Sequence, residues 1–326
     1  MDRNRDQFYA QAWNEAAEAT GSTIVPVDDN FFRIVNGHGT RAVCVNRNLN
    51  PLDSQAAVSL ADDKPATSRV LIEAKSPVPE HLVVRANEHK AALEFLKSGR
   101  GPVVVKPAVG TGGGIGVSTN VATASQLRHT MAWAAAYCRQ VLIERQIEGE
   151  TFRLLYLDGE LLDCVIRRPP SFVGDGVATV RGLVDSENRQ RLAAGYERSQ
   201  SLLGVDNDMK TTLAAQGLRL SAVPEKGRKF MVKRVVNDNI GAENETATDR
   251  LCDAVIDAGR TVANMLGLRL AGVDIITTDP GLPLHATGGA VIDVNGAPGF
   301  YYHYHKNDGR VPLASHILRG AFDYAS

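Results

Sequence analysis

Cysteine is scarce in this sequence, and its few copies lie far apart. The 326 residues include four cysteines, Cys44, Cys138, Cys164 and Cys252, and no two of them form a CxxC pair. Zinc sites and disulfide scaffolds both need closely spaced or numerous cysteines, so the sequence favours neither. We therefore expect the protein to work in a reducing cytoplasm.

Strong net charge and long apolar runs are absent as well. The 36 Lys and Arg residues nearly balance the 37 Asp and Glu residues, which gives no bulk field for nucleic acid or for a membrane surface. Nowhere do apolar residues continue long enough for a membrane span, and the polar start MDRNRDQFYA has no apolar segment of a secretory signal. Small molecules are therefore the expected partners, and the length predicts two or three subdomains.

The most informative stretch is 102–117, which reads PVVVKPAVGTGGGIGV. Its valines are typical of a buried strand, and Lys106 so close to the strand interior needs an anionic partner because an unpaired buried charge is costly. The glycines from Gly110 to Gly116 leave several backbone N–H groups free of side chains, as a loop over a polyphosphate requires. The spacing fits neither the Walker loop nor the dinucleotide fingerprint, and a flexible hairpin tip is the alternative.

Periodicity, capping signals and turn residues predict mixed helices and strands, which is an α/β (α+β) composition. Helices are predicted at 5–20, 54–61, 66–74, after the capping box Thr123-Ala-Ser-Gln126, at 186–203 and at 248–266. Strands are predicted at 23–27, 31–35, 152–157 and 161–167, with a loop at 204–208 and a small-residue stretch at 213–220. Lys64 stands at a helix start, where a cation is out of place unless it faces an anion, and a solvated surface lysine is the alternative.

Carboxylates gather at the end of the apolar run 141–143. Glu144 ends the run, and Glu148 and Glu150 follow it closely. A purine amino group needs an acceptor and ribose hydroxyls need a carboxylate, and this strand end can supply both. An exposed acidic turn is the alternative interpretation.

Several arginines accompany apolar strands in the second half of the chain. Arg153, Arg167 and Arg168 lie in or beside strands that otherwise read as buried, so they either pair with nearby acids or face an anionic ligand. A further basic patch at 226–234 reads as a solvated face.

A second chemical cluster lies near the C-terminus. Asp274 stands in one apolar run, and Asp293 and Asn295 stand two apart in the next, where side chains of a strand share a face. If the two strands pair, the three oxygen-bearing side chains converge in a set that suits Mg²⁺ and not zinc. The turn Gly296-Ala-Pro-Gly299 then offers free N–H groups to a phosphate or an oxyanion.

Together these features resemble the ATP-grasp ligases, and most of all the ATP-grasp part of the cyanophycin synthetases. The resemblance covers about residues 60 to 305. The matching segments are Asp63-Lys64 through Pro77-Val-Pro79, Val104-Val-Lys-Pro107, Arg153-Leu-Leu, Arg168 through Val173-Gly-Asp-Gly176 with Thr179-Val180, Gln216-Gly-Leu with Ala222-Val-Pro224, Ala271-Gly-Val-Asp274, and Val294-Asn295 to Phe300 with His303.

The resemblance implies the ATP-grasp fold, in which ATP is held between two α+β subdomains. It divides the chain into a shortened N-terminal domain (1–62), a linker helix with a small lid subdomain (63–150), and a C-terminal subdomain with the magnesium site (151–326). Because the large N-terminal domain and the Mur-ligase-like half of cyanophycin synthetases are not matched, we expect a stand-alone relative.

The resemblance also implies roles for individual residues in a nucleotide site. Lys64 and Lys106 would hold the α- and β-phosphates, Glu144 and the backbone after it would read adenine, and Glu150 or Glu148 would bind ribose. Further contacts to the nucleotide would come from the glycine loop and the strand end, at Gly112, Gly113, Gly114, Ile115, Arg145 and Ile147.

For the chemical step, Asp274, Asp293 and Asn295 would ligate magnesium, with two ions expected. Catalytic contacts to an acyl phosphate or an acceptor carboxylate would come, beside Lys106, from Arg153, Arg168 and Arg234.

Two departures from the family stand out. Many members have Glu in place of Asp293, and the D-alanine:D-alanine ligases have an arginine where this chain has Gly272. Substrate anchoring must therefore come from elsewhere, for which Arg234 and the run 301–305 are candidates. Substrate contacts are accordingly predicted at Arg168, Gly299, Tyr301 and His303, and packing against the C-terminal helix is the alternative for the run.

The implied activity is an ATP-dependent ligation of a carboxylate to an amine, on amino acids or short peptides, with ATP and Mg²⁺ required and a homodimer as one option for assembly. Two other classes stay open. A small-molecule kinase on the same scaffold would phosphorylate its acceptor without forming an amide, and a non-catalytic ATP-binding protein would show negligible turnover.

Overall fold

The fold is built from three larger β-sheets, one two-stranded ribbon and the helices that cover them. It is known from a computed structural model, which describes residues 3–28, 31–39, 42–45, 52–99, 101–112, 114–194, 201–236, 244–306 and 308–323. The predicted mixed α/β composition is confirmed.

An aromatic-rich helix and a three-stranded antiparallel sheet open the chain. The elements are α1 (Arg3–Ala19), β1 (Thr23–Pro26), β2 (Phe32–Val35) and β3 (Ala42–Val45). The predicted helix and the two predicted strands are thereby confirmed, and the tip of their turn lies outside the described residues.

Two capped helices lead from this sheet into the rest of the chain. The side chain of Ser54 accepts a hydrogen bond from the N–H of Ala57 and begins α2 (Gln55–Asp62). Asp63 then accepts from the N–H of Ala66 and begins α3 (Lys64–Glu73), two residues earlier than predicted. The early start follows from the cap, because an Asp at this position satisfies an N–H group that the first turn leaves unpaired.

A four-stranded antiparallel sheet, here called the small sheet, follows. Its elements are β4 (His81–Arg85), α4 (His89–Ser98), β5 (Val103–Pro107), β6 (Ser118–Val121), α5 (Ala124–Ala135) and β7 (Gln140–Arg145), with strand order β4-β7-β5-β6. The capping box predicted at Thr123 and Gln126 is present at the start of α5. Leu96, Leu127 and Met131 of the two helices pack on the sheet in one buried core.

The chain then begins a five-stranded sheet with β8 (Glu150–Leu157) and β9 (Glu160–Arg167), and leaves it for an excursion through residues 171–236, here called the insert. The insert contains β10 (Ser171–Val173), α6 (Val180–Ala194), α7 (Asn207–Ala215) and β11 (Lys229–Met231), and β10 pairs with β11. It has a buried core of its own around Met209, Leu213 and Phe230.

Two predicted bounds in the insert are wrong. Helix α6 begins at Val180, six residues before the predicted start, and α7 covers the last two residues of the predicted loop 204–208 and the beginning of the small-residue stretch. Asp206 caps α7 by accepting from the N–H of Met209, and Met209 and Leu213 supply its buried face. A short helix with few large apolar residues gives a weak periodic signal, so the cap was the better indicator.

The five-stranded sheet, here called the large sheet, is completed near the C-terminus. The remaining elements are β12 (Asn244–Thr246), α8 (Asp253–Met265), β13 (Leu270–Thr277), α9 (Leu284–Thr287), β14 (Ala290–Asn295), α10 (Tyr301–Tyr304) and α11 (Leu313–Asp323), and the strand order is β12-β9-β8-β13-β14. The helix predicted from Thr248 is divided, because Leu251 is extended between a 3₁₀ turn (Thr248–Arg250) and α8.

Both faces of the large sheet are covered. Phe152, Leu154 and Val273 face a core that includes α8, while Leu155, Val165 and Leu270 pack with residues of α1 and α11. A sheet buried on both faces holds its strand ends in fixed positions, which matters for the polar residues described below. Among the described helices, none combines the length and the apolar character that a membrane crossing requires.

Candidate active site

A cavity of about 450 Å³ lies between the small sheet and the large sheet. The small-sheet side contributes Lys106 and the glycine loop, and the large-sheet side contributes Arg153, Asp274 and Asp293. Its remaining polar and charged lining comes from the start of α3, the segment after β7, the strand end of β9 and the end of the insert.

Most of the residues predicted for the site line this one cavity. They are Lys64, Lys106, Gly112, Gly114, Glu144, Arg145, Ile147, Glu150, Arg153, Arg168, Arg234, Asp274, Asp293 and Asn295. Ile115 is half-exposed on the loop and does not line the cavity, and Gly113 lies outside the described residues.

Lys106 and Glu144 form a buried ion pair in the cavity wall. The Lys106 Nζ atom lies 2.7 Å from Oε2 of Glu144, and both residues are less than 8% exposed. Strands β5 and β7 pair antiparallel, which places the two residues close together. The Glu144 carboxylate therefore supplies the anionic partner that the buried Lys106 was predicted to need.

Lys64 reaches the glycine loop from the first turn of α3. Its Nζ atom donates to the carbonyl of Thr111 at 3.4 Å, and its backbone N–H donates to the carbonyl of Ala108. A lysine at a helix start is unfavourable by itself, because the helix dipole is positive there. The two contacts explain its position and place a second ammonium beside the loop.

Arg145 was predicted to contact the nucleotide, and its side chain contacts Glu80 and α4. Its guanidinium pairs with Glu80, donates to the carbonyl of Phe95 at 2.6 Å and lies 4.1 Å from the centre of the Phe95 ring. It also fills the space beside Gly99, where a Cβ atom would lie only 2.0 Å from it. Arg145 therefore fastens β7 to α4.

Several acid–base pairs surround the cavity near Glu148 and Glu150. The Arg234 guanidinium donates to Glu148 at 2.8 Å, and Arg168 pairs with Glu245 at 2.8 Å and approaches Glu150 at 4.0 Å. Burial would raise the pKa of Glu148, but hydrogen bonds from Arg234 and Gln146 hold it below its usual value. All of these side chains keep partial exposure, so solvent weakens the pairs and a ligand can exchange with them.

The predicted convergence of the three oxygen-bearing side chains depends on strand pairing, and that pairing is confirmed. Asp274 on β13 stands directly opposite Asp293 on β14, and Asn295 follows two residues later on the same face. A register shift just after Asp274 interrupts the regular pairing at this point. Irregular strand pairing often re-aims side chains next to functional sites.

Two arginines hold the Asp274 carboxylate. Arg153 donates to its two carboxylate oxygens at 2.5 and 2.8 Å, and Arg167 donates to both at 3.2 Å. Burial would raise the pKa of Asp274, but the charges of Arg153 and Arg167 hold it below its usual value. The two guanidinium groups lie beside two carboxylates, because the charge of Asp293 also acts on Arg153.

Arg167 was predicted either to pair with nearby acids or to face an anionic ligand, and it pairs with Asp274. Besides Asp274, it donates to the carbonyl of Val236 at 2.5 Å and to the Tyr302 hydroxyl at 2.9 Å, and its guanidinium lies over the Tyr302 ring. At the end of the insert, Arg234 was predicted for the site, whereas Met231, Val235 and Val236 line the cavity as well and were not predicted.

Gly272 leaves the space that Arg153 occupies. An ideal Cβ atom at this position would lie 2.8 Å from Nη1 of Arg153 and 2.9 Å from Cβ of Pro298, closer than real Cβ atoms come. The guanidinium is locked by Asp274, so it cannot move away without breaking that pair. Arg153 of β8 therefore occupies the space that a side chain at position 272 of β13 would take.

Replacing Gly272 with Ala is therefore expected to destabilise the fold by roughly 2 kcal/mol, as overpacking does in well-packed interiors. Thermal unfolding would measure the change. Gly204→Ala is the matched control, because no atom lies within 4 Å of a Cβ at Gly204. An equal effect of the two substitutions would show that Arg153 does not fill the space.

The predicted substrate contacts at Gly299, Tyr301 and His303 are not brought to the cavity. Tyr301 is buried against Phe8 of α1, and His303 is fully buried with Nδ1 2.8 Å from Oδ2 of Asp163. Gly299 lies beside the Tyr9 hydroxyl. The structure therefore favours the packing alternative for the run 301–305, although the main helix it packs on is α1 rather than the C-terminal helix.

Known proteins with related sequences are similar to most of this chain. The family described as D-ala D-ala ligase C-terminus matches residues 72–166. Cyanophycin synthetase of Crocosphaera subtropica is 29% identical over 276 residues, which is 84% of this chain and 31% of that protein. The glutathione biosynthesis bifunctional protein GshAB of Mannheimia succiniciproducens is 27% identical over 294 residues, which is 88% of this chain and 38% of that protein.

A solved structure extends the similarity to the whole fold. The bifunctional glutathione synthetase from Pasteurella multocida superposes on 99% of this chain and 44% of its own with a TM-score of 0.61 at 22% identity. The fold is therefore that of the ATP-grasp proteins, as predicted. Within that class, the resemblance to the carboxylate–amine ligases is confirmed. The chain spans about a third of the length of these curated relatives.

Proposed function

We propose that the chain is an ATP-dependent carboxylate–amine ligase that forms an amide or peptide bond through an acyl phosphate. One observation carries the proposal. A single cavity gathers two lysines and a glycine loop on one side and two carboxylates with an amide on the other. Polyphosphate binding needs the first set and divalent-cation binding needs the second, so together they suit a metal–nucleotide complex.

In this proposal the small-sheet side of the cavity binds the nucleotide. Lys64 and Lys106 contact the phosphates, and the glycine loop covers them with backbone N–H groups. Because the Glu144 side chain is paired with Lys106, the backbone after it is the better candidate to read adenine. Glu150 or Glu148 would bind ribose after exchanging an arginine partner, which their partial exposure permits.

The donor set of the large sheet fits magnesium. Asp274, Asp293 and Asn295 offer only oxygen among their accepting atoms, the preference of a hard divalent cation. In the described part of the chain, no group of three or more His, Cys, Asp and Glu side chains that could hold a metal ion is found, so the proposed set relies on two carboxylates and the Asn295 amide. When bound, Mg²⁺ would neutralise charge on the phosphates and polarise the transferring phosphoryl group.

The two chemical steps balance without a protein nucleophile. A carboxylate oxygen attacks the γ-phosphorus of ATP, the bond to the β–γ bridging oxygen breaks, and ADP leaves. An amine nitrogen then attacks the acyl carbon, the bond from that carbon to the phosphate oxygen breaks, and phosphate leaves as the nitrogen loses a proton. Lys106 would stabilise the first transition state, while Arg153, Arg168 and Arg234 would orient the carboxylate and the acyl phosphate.

Amino acids or short peptides are the proposed substrates. The arginines that line the cavity can pair with a carboxylate, and the names of the curated relatives describe synthesis of cyanophycin and glutathione. We further propose the predicted division into a shortened N-terminal domain (1–62), a lid (63–150) and a C-terminal subdomain (151–326). A cytoplasmic location and a homodimer stay predictions.

A hydroxylamine trap tests the proposal without knowledge of the natural amine. The protein is incubated with Mg-ATP, hydroxylamine and one amino acid or peptide at a time, and hydroxamate and ADP are measured. We expect equal amounts of both with at least one carboxylate, and neither above background when the carboxylate is omitted. ADP with a phosphorylated acceptor and no hydroxamate would identify a kinase, and failure to bind Mg-ATP would contradict the proposal.

A further inference from the structure

A buried carboxylate behind the cavity wall has no role in the proposed chemistry. Asp208 stands in the first turn of α7, in the insert, and is only 1% exposed. It does not line the cavity. A buried carboxylate away from a reacting centre is costly, so its hydrogen bonds indicate what it stabilises.

Among the described residues, the three hydrogen bonds to the Asp208 carboxylate come from residues that line the cavity. The Thr119 hydroxyl on β6 donates to Oδ1 at 2.7 Å, and the backbone N–H groups of Arg234 and Val235 both donate to Oδ2 at 3.0 Å. Thr119 belongs to the small sheet, whereas Arg234 and Val235 end the insert. One carboxylate therefore joins two separate parts of the cavity wall.

A second path connects the same two parts. The Arg234 side chain donates to Glu148, and the Gln146 amide donates both to Glu148 and to the side chain of Asn120, which follows Thr119 on β6. The N–H of Asn120 donates back to Gln146 at 2.8 Å. Arg234 is thus fixed at its backbone by Asp208 and at its guanidinium by Glu148.

The contact between α7 and the small sheet extends beyond Asp208. The Oδ1 atom of Asn207 accepts a hydrogen bond from Nε2 of His129 on α5 at 3.3 Å, and Lys233 forms an ion pair with Asp206 beside the carboxylate. Asn207 and Lys233 are buried, and polar contacts between buried groups favour one arrangement of the elements that carry them. The insert is therefore docked on the small sheet through α7.

We propose that Asp208 is a positioning residue that holds Arg234 over the cavity and joins the insert to β6. The insert and the small sheet then hold Arg234, Thr119 and Glu148 at fixed relative positions beside a bound nucleotide. The inference rests on the proposed function in one respect, because it takes a Mg–nucleotide as the ligand of Arg234. The structural part of the inference, that Asp208 fixes the backbone of residues 233–236, does not depend on the ligand.

The geometry distinguishes two substitutions of Asp208. Alanine removes the acceptor of both backbone N–H groups and leaves them buried without a partner. Asparagine can keep an oxygen at the Oδ2 position for the two N–H groups and direct its amide N–H to Thr119, whose hydroxyl can accept as well as donate. Asp208→Asn is therefore the conservative variant.

The decisive test is a double-mutant cycle on binding of the non-hydrolysable analogue AMPPNP with Mg²⁺, measured by titration calorimetry. Arg234→Ala is expected to weaken binding about tenfold, as loss of a charge-assisted contact does. Asp208→Ala is expected to weaken binding by the same factor. The double variant should bind AMPPNP no more weakly than Arg234→Ala alone, because both changes remove the same contact. Asp208→Asn should bind within about twofold of wild type, and exposed Asp185→Ala is the control.

If the double variant loses affinity by the product of the two single losses, the inference is overturned. It is also overturned if Asp208→Asn loses as much affinity as Asp208→Ala. Hydrogen exchange of the 233–236 backbone gives a readout that needs no nucleotide. Asp208→Ala should exchange faster there, while Asp208→Asn and Asp185→Ala should match wild type, and unchanged exchange in Asp208→Ala would overturn the structural part. Failure of wild type to bind AMPPNP would count against the proposed function, and the exchange result would still decide the structural part.

Discussion

Replacing Lys106 with Met is expected to lower kcat at least about a hundredfold while the fold survives. The ammonium group is buried in the cavity wall, where it can stabilise negative charge that develops on a transferring phosphoryl group. Loss of one such preorganised donor typically costs two to three orders of magnitude in kcat. Steady-state ADP release and circular dichroism would measure activity and fold.

The ion pair with Glu144 makes a second variant necessary. Lys106→Met alone leaves a buried carboxylate without its partner, which can destabilise the protein by several kcal/mol. The double variant Lys106→Met with Glu144→Gln removes both charges and separates lost chemistry from lost stability. Lys97→Met, on the exposed face of α4, is the control. A folded double variant with wild-type kcat would exclude the phosphate role of Lys106.

Replacing Asp293 with Asn is expected to raise the Mg²⁺ concentration needed for half-maximal activity by at least about tenfold. Asp293 stands opposite Asp274, which already shares its oxygens with Arg153 and Arg167. Asp293 is therefore the carboxylate of the set with the greater freedom to bind a cation, and neutralising it removes a charged oxygen ligand. A magnesium titration of ADP release at saturating ATP would measure the shift.

The matched control for this prediction is Asp185→Asn, which removes an exposed carboxylate of α6 far from the oxygen set in sequence. Its magnesium titration should coincide with that of the wild type. If Asp293→Asn also leaves the titration unchanged, Asp293 is not a magnesium ligand. A parallel fall in activity at every magnesium concentration would point instead to a role in orienting substrate.

Local patterns were enough to predict much of the site. Lys106 and the glycine loop stand out because a charge and a glycine run interrupt an apolar strand, and Asp274 stands out for the same reason. The spacing of Asp293 and Asn295 predicted a shared face, and the pairing of β13 with β14 confirmed that Asp274 joins them. Because side chains alternate between the two faces of a strand, a polar residue within an apolar strand can be recognised from the sequence as a candidate site residue.

What the sequence could not predict is which charges meet. Arg153 reaches Asp274 because Gly272 leaves room beside it, and that packing depends on β8 and β13 being neighbours. His303 was predicted to contact substrate, yet it is buried on Asp163 of a neighbouring strand. The role of Asp208 depends on contacts with Thr119, 89 residues away along the chain. Long-range partners of this kind follow from the tertiary arrangement alone.

The most direct test of the account follows the fate of a carboxylate oxygen. The carboxylate identified by the hydroxylamine trap is labelled with ¹⁸O and incubated with the protein, Mg-ATP and an amine, and the released phosphate is analysed by mass spectrometry. An acyl phosphate intermediate requires one labelled oxygen to pass into each phosphate. Amide formation with unlabelled phosphate would contradict the proposed mechanism, because the carboxylate would then never have been phosphorylated.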